Sequence, residues 1–220
     1  PKDDVRYTPS IDEQIARFEA VSLDQVKQLY NDFVGSQNGL VSVVGDFDAG
    51  DVQPLIDDML ANWKAKKDYT RISRQAKKVK GARITVQTPG KANAVYLAGL
   101  SASMKDSDPE YPALVIGNFI LGGGGGLSSR LGDRVRQKDG LSYGVGSFFS
   151  AAALDSYSRL GIFAISNPAN SPKVVKAIRE EMDRLLKKGI TEDELKRAKE
   201  GFLKQQIVQR SGDGNLVSIL

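Results

Sequence analysis

The sequence predicts an α+β fold in which an antiparallel-rich sheet carries helices packed on one face. The order of elements after residue 82 is β-β-α-α-β-β-α-α, and strands this close along the chain favour antiparallel pairing over βαβ crossovers. The last two strands, at about 141–151 and 156–165, alternate in part between apolar and polar residues, as half-buried strands do. A composition of 40% hydrophobic and 26% charged residues supplies a sizeable core.

Turn and capping signals delimit the elements of this region. Two strands, at 83–87 and 94–100, flank a Pro-Gly turn within 88–93 and are predicted to pair. Shorter helices are predicted at about 108–121 and 128–137. Ser171-Pro172 opens a helix that ends before Gly189, and the capping box Thr191 to Glu194 opens another that runs to about residue 210. A last helix is predicted from about residue 213.

The first 63 residues predict helices and one strand. Ser22 to Gln25 is a capping-box pattern that opens a helix to about Val34. The β-branched segment at 40–45 predicts a short buried strand. Asp48 or Asp51 is expected to cap a helix that runs to about residue 63. The aspartates of this turn resemble part of a calcium loop, but further ligands and a closing glutamate are missing, which favours caps.

Residues 64–82 combine many charges with little periodicity, which predicts a linker. Its lysines carry much of the net charge of +4, yet they lack the interleaved aromatic residues of a single-strand binder, so we expect no nucleic acid partner. No apolar run approaches the roughly 18 residues of a transmembrane helix, and we expect no membrane span. The polar start without an initiator methionine or a signal peptide predicts a part of a longer chain.

Histidine and cysteine are both absent from the 220 residues. Without them the chain has no Ser-His-Asp triad, no thiolate nucleophile and no histidine- or cysteine-ligated zinc. We therefore expect no metal, no bound cofactor and no catalytic residue in this chain by itself.

Five consecutive glycines stand between an apolar run and a short basic helix. They are compatible with a flexible loop or with a binding loop, and their place between two ordered elements favours binding. A phosphate loop of the Walker type is excluded in practice, because Leu127-Ser-Ser follows the glycines instead of Lys-Ser/Thr. The candidate binding glycines are Gly122, Gly123, Gly124, Gly125 and Gly126.

Arg136 and Tyr143 lie seven residues apart, across a helix-to-strand turn that contains Gly140. A guanidinium and a phenol in this arrangement can both donate hydrogen bonds to one carbonyl oxygen. Judged from the residues alone, the favoured interpretation is different: Arg136 is simply exposed, and the ring of Tyr143 packs in the strand.

The sequence resembles the pitrilysin/insulinase-type zinc metallopeptidases, in particular members like the mitochondrial processing peptidase. The resemblance covers residues 20–62 and 84–210 and rests on six segments in the same order along the chain. They are VGDFD at 44–48, before a helix ending in Trp63, LGG at 121–123 with SRL at 129–131, RVR at 134–136 with GLSYG at 140–144, and GITEDEL at 189–195.

The resemblance implies a non-catalytic, metal-free domain, because the family's inverted zinc motif H-x-x-E-H is missing here. It implies that Arg136 and Tyr143 reach a polypeptide substrate bound at a zinc held by a partner catalytic domain, in the same or a separate chain. It also implies that Gly122–Gly126 form a substrate-contacting loop. The alternative is a structural or assembly domain of an inactive homologue. A phosphate-binding module is a third, weaker reading.

The resemblance further implies a domain division. Residues 1–63 would be the end of a preceding repeat, 64–82 a linker and 83–220 the main part of an inactive repeat. The whole would fold as one circularly permuted unit if the strand at 40–45 joined the sheet of residues 83–165. By analogy alone, we expect a location in the bacterial periplasm.

Overall fold

The described residues form three strands, β1 (Ala94–Ala102), β2 (Gly144–Ala151) and β3 (Ser158–Ser166). They make one antiparallel sheet with the order β1-β3-β2. The structure is a computed structural model that describes residues 2–124 and 128–220. Because β3 is central and antiparallel to both neighbours, β1 and β2 run in the same direction and begin at the same end of the sheet.

The described residues also form seven α-helices and two π-helices. The segments Phe119–Gly123 and Gly132–Lys138 are π-helical. The capping boxes predicted at Ser22 and Thr191 are both formed. The α-helices are α1 (Ile11–Glu19), α2 (Leu23–Phe33), α3 (Ala49–Ala61), α4 (Tyr111–Asn118), α5 (Ser171–Lys188), α6 (Glu192–Gln209) and α7 (Asp213–Ile219).

One face of the sheet is covered by helices. α5 packs Val174, Ala177 and Ile178 against Ile162 and Ala164 of β3. Leu131 and Val135, at the start and within the second π-helix, complete this core and are fully buried. Each buried leucine, isoleucine or valine side chain of this layer contributes about 1.5–3 kcal/mol to stability. The predicted α+β fold with helices on one face is confirmed.

Two predicted strands are absent. Residues 83–87 and 40–45 are not paired with any strand of the described chain, and the sheet therefore has three strands. Ile84 and Leu40 are more than four-fifths exposed. Apolar β-branched residues favour an extended backbone, but a strand also needs a partner edge, which local sequence does not encode. The permuted arrangement requires the strand at 40–45, and it stays a prediction without support from the sheet.

The chain divides into two units, residues 1–73 with 209–220 and residues 74–208. The first division falls within the predicted linker, whereas the last twelve residues are grouped with the first unit and not with the repeat predicted at 83–220. The first unit contains α1, α2, α3 and α7. The second contains the sheet, α4, α5 and nearly all of α6. The assignment of these parts to repeats stays a prediction.

The second π-helix ends at Lys138, and Gly140, two residues later, has a φ of 59°. Leu141 N–H donates to Val135 O at 2.9 Å, and this seven-to-one bond closes the end of the π-helix around Gly140. A β-carbon at Gly140 would meet no atom within 4 Å, so an added methyl group costs only backbone strain.

We expect Gly140→Ala to lower the free energy of unfolding by about 1 kcal/mol, because an L-residue disfavours the left-handed region. Urea denaturation measures this change. Gly117→Ala in α4 is the matched control, since its β-carbon also meets open space but the backbone is helical. The control should be neutral or slightly stabilised. If both variants lose the same free energy of unfolding, the loss does not come from the left-handed backbone of Gly140.

Candidate functional site

Arg136 and Tyr143 stand on either side of the Gly140 turn. Arg136 lies in the second π-helix and Tyr143 directly precedes β2. Both are exposed, Tyr143 to 61%. The structure records no hydrogen bond between them, and no described residue pairs with the Arg136 guanidinium. Both donors thus face solvent.

The turn between them is held by the neighbouring arginine. Arg134 pairs with the carboxylate of Asp139, and Asp139 N–H donates back to Arg134 O at 3.1 Å. The other terminal nitrogen of Arg134 donates to Glu180 of α5 at 2.9 Å. The hydrogen bond to Glu180, with the nearby acidic groups, raises the pKa of Arg134. The π-helix end is therefore tied both to its own turn and to α5.

Ser142 ties the same turn to the sheet. Its side chain is buried, and its hydroxyl lies 2.5 Å from Ile165 O of β3 and 2.9 Å from Gly144 O. A hydroxyl has one proton, so it donates to one of these carbonyls at a time, and it also accepts from Gly144 N–H at 3.2 Å. The residue immediately before Tyr143 is thus anchored to the central strand.

The glycine segment begins with a close approach to β2. A β-carbon at Gly122 would lie 2.7 Å from Ser147 N, so only glycine fits between the first π-helix and this strand. This packing explains the first glycine without any ligand. Gly123 and Gly124 are partly exposed, whereas Gly125 and Gly126 lie outside the described residues. Substrate contact by these glycines stays a prediction.

A pocket of about 440 Å³ lies beside this segment, between the first π-helix and α6. Its walls combine apolar groups with the polar side chains of Ser128, Arg130 and Arg197. The Nη1 atom of Arg130 is buried and has no hydrogen-bond partner among the described residues. The rest of its guanidinium is used structurally.

Arg130, two residues before the second π-helix, forms a bidentate ion pair with Glu194 of α6. Its Nε and Nη2 donate to the two carboxylate oxygens of Glu194 at 2.7 and 2.8 Å, and Nη2 also donates to Gly189 O at 2.8 Å. The hydrogen bonds from Arg130 lower the pKa of Glu194 to about 2, with help from Thr191 N–H and hydroxyl. The Arg130 side chain is only 8% exposed.

The residues present do not fit a zinc site. The chain has neither histidine nor cysteine, and the described residues contain no cluster of three or more acidic side chains that could hold a metal ion. The pairs that hold the site, Arg130–Glu194 and Arg134–Asp139, were missed by sequence reasoning, as was the role of Ser142. The capping box of Glu194 and the Asp139-Gly140 break were visible signals, but their arginine partners were not.

We expect Glu194→Gln to lower the free energy of unfolding at pH 7 by about 3 kcal/mol, because it leaves Arg130 charged and buried without the carboxylate that it binds directly. The folded-state pKa of Glu194 lies below the unfolded value of about 4.3. The stabilisation is therefore complete at neutral pH and is lost as the pH falls from about 5 toward 2. Urea unfolding at several pH values from 7 to 3 measures this change. The difference in free energy of unfolding between wild type and variant should become smaller as the pH falls.

Asp193→Asn is the matched control, because Asp193 pairs with Arg197 at the surface, with both side chains about 70% exposed. Such a pair is worth little, and we expect a change below about 0.5 kcal/mol at every pH. If the loss in free energy of unfolding caused by Glu194→Gln stays constant down to pH 3, the stabilising role assigned to the Arg130–Glu194 ion pair is contradicted.

Comparisons with known proteins agree on the fold. A solved structure of a peptidase M16 inactive domain from Pseudomonas fluorescens is 25% identical, with a TM-score of 0.75, over 90% of this chain and 46% of that one. A protease structure from Helicobacter pylori is 22% identical, with a TM-score of 0.77, over 93% of this chain and 49% of that one.

Sequence comparison points to the same family. An uncharacterized zinc protease of Streptomyces coelicolor is 26% identical over 187 residues, which are 81% of this chain and 39% of that protein. The chain thus spans less than half the length of these relatives. The family described as the peptidase M16 inactive domain matches residues 20–202. This chain belongs to the peptidase M16 family and corresponds to its inactive domain.

Proposed function

We propose that this inactive M16 domain binds the polypeptide substrate of a zinc metallopeptidase and that Arg136 and Tyr143 are the binding residues. The observation that carries the proposal is the fixed turn between them. Arg134, Asp139 and Ser142 hold that turn by side-chain bonds, while Arg136 and Tyr143 remain exposed. The turn is anchored on both sides, and its two exposed hydrogen-bond donors do not stabilise the fold. This arrangement favours a role in ligand binding.

The chemistry of the two side chains is that of donors to a carbonyl oxygen. Arginine stays protonated at every relevant pH and has five N–H groups, and a neutral tyrosine adds one O–H. Donors placed in advance around an oxygen that gains negative charge lower the barrier of peptide hydrolysis, and they also orient the substrate. Neither residue needs to exchange a proton in this role.

A catalytic domain is the required partner. Since the present residues do not fit a metal, the zinc belongs in our proposal to a catalytic domain of the same or a separate chain. The glycine segment would lie at the substrate-facing edge of this domain, next to the pocket lined by Gly124 and Ser128.

An assembly role is the second candidate, and the uncovered face of the sheet favours it. Val95 and Leu97 of β1 point away from the helical layer and are more than three-fifths exposed. An apolar surface of this kind is typical of a contact with another protein or domain. The two candidates differ in one respect, because an assembly domain has no need of Arg136 and Tyr143.

The location in the periplasm also stays a proposal. Among the helices of residues 2–124 and 128–220, none combines the length and the apolar character that crossing a bilayer demands.

We expect Arg136→Ala and Tyr143→Phe to lower peptide turnover by the full-length protein with its catalytic domain about a hundredfold each, because each removes one donor from the substrate oxygen. Zinc content, measured by atomic absorption, should stay constant. Arg179→Ala and Tyr69→Phe are matched controls, since both residues are exposed and distant in sequence from the turn. Unchanged turnover in both site variants would favour the assembly role.

A further inference from the structure

The hydroxyl of Tyr143 has a partner fifty positions away in the sequence. The side-chain amide of Asn93 donates from Nδ2 to the phenol oxygen at 3.4 Å. Both side chains are exposed, so this contact is not a by-product of core packing. Nothing in the local sequence around either residue indicates the other.

The sheet brings these residues together. Asn93 directly precedes β1 and Tyr143 directly precedes β2, and both strands begin at the end of the sheet where β3 finishes. In register, Ala94 lies opposite Ser166 and Gly144 lies opposite Ile165. Two strand spacings of about 4.8 Å separate β1 from β2, and the Asn93–Tyr143 contact bridges that distance across the end of β3.

Both ends of the contact are anchored. Asn93 follows a β-turn closed by Lys91 N–H and Thr88 O at 3.3 Å, and the ladder of β1 with β3 begins at the next residue. Tyr143 follows Ser142, which is bonded to Ile165 O. The amide and the phenol therefore approach each other from fixed backbone positions on the same sheet.

The direction of the hydrogen bond decides what the phenol can do. Because Asn93 donates, the phenol oxygen is the acceptor and its own proton remains available. A carboxylate in place of the amide would reverse the bond, because it would accept a hydrogen bond from the phenol and so occupy the phenol's only proton. Arg136 contributes only donors, so a phenol with a free proton gives the site two donors and suits an electron-rich carbonyl oxygen.

We infer that Asn93 is a positioning residue, which orients the Tyr143 hydroxyl so that its proton points to the carbonyl oxygen of the substrate. This inference rests on the proposed function of Tyr143. Asn93 itself acts through the phenol and does not contact the reacting atoms. The consequence is that the site extends from the Gly140 turn to the start of β1.

A double-mutant cycle in the full-length protein with its catalytic domain tests the inference. Asn93→Ala should lower kcat about fivefold with little change in KM, as expected for loss of one hydrogen bond that orients a donor. Asn93→Asp should lower kcat further, because the carboxylate accepts a hydrogen bond from the phenol and turns that donor away from the substrate. In the Tyr143→Phe background both Asn93 variants should have no additional effect, since no hydroxyl remains to be oriented. Lys91→Ala, on the same connection, is the control and should leave kcat unchanged.

The outcomes separate the inference from the function on which it rests. If Tyr143→Phe lowers turnover while Asn93→Ala does not, or if Asn93→Ala has the same effect in both backgrounds, Asn93 does not act through the phenol and the inference is overturned. An Asn93→Asp variant as active as wild type overturns it as well. If Tyr143→Phe and Arg136→Ala leave turnover unchanged, the proposed function itself fails and the inference fails with it.

Discussion

The antiparallel pairing of β3 with both of its neighbours is the constraint on which the second unit depends. It makes β1 and β2 start at one end of the sheet and gives the helices a continuous apolar face to cover. It also supplies the carbonyl of Ile165 that anchors Ser142. Tyr143, which directly precedes β2, is therefore placed by backbone pairing, whereas the turn that joins it to Arg136 is held by the bonds of Arg134 with Asp139.

Three arginines of one short segment have three different environments. Arg130 is buried and spans to α6 through Glu194, Arg134 is partly buried and spans to Asp139 and α5, and Arg136 remains uncovered. A buried guanidinium without a counterion would cost several kcal/mol, so the first two are compensated by acidic groups. Arg136 needs no acidic partner, because water solvates its guanidinium. This difference in burial separates the structural arginines from the candidate binding residue.

The positions of most helices follow from local signals in the sequence. Ser22 and Thr191 cap helices where their capping boxes predict them, and α5 occupies the range that Pro172 and Gly189 delimit. The strands at 83–87 and 40–45 were predicted wrongly, because a β-branched run shows only that a backbone favours extension. The family resemblance and the fold class were confirmed. They depend on motifs and on the order of elements, which two wrongly predicted strands do not change.

The sequence by itself determined that this chain lacks the residues for a zinc site or a catalytic triad, and it identified the segment with Arg136, Gly140 and Tyr143. These conclusions depend only on which side chains exist and on short-range backbone preferences. Only the tertiary structure decided that Asn93 lies against Tyr143, that Glu194 compensates Arg130, and that Gly122 is needed for close packing against β2. Each of these contacts joins residues that are 25 to 64 positions apart, and the sheet register and helix packing that create them arise from the whole chain.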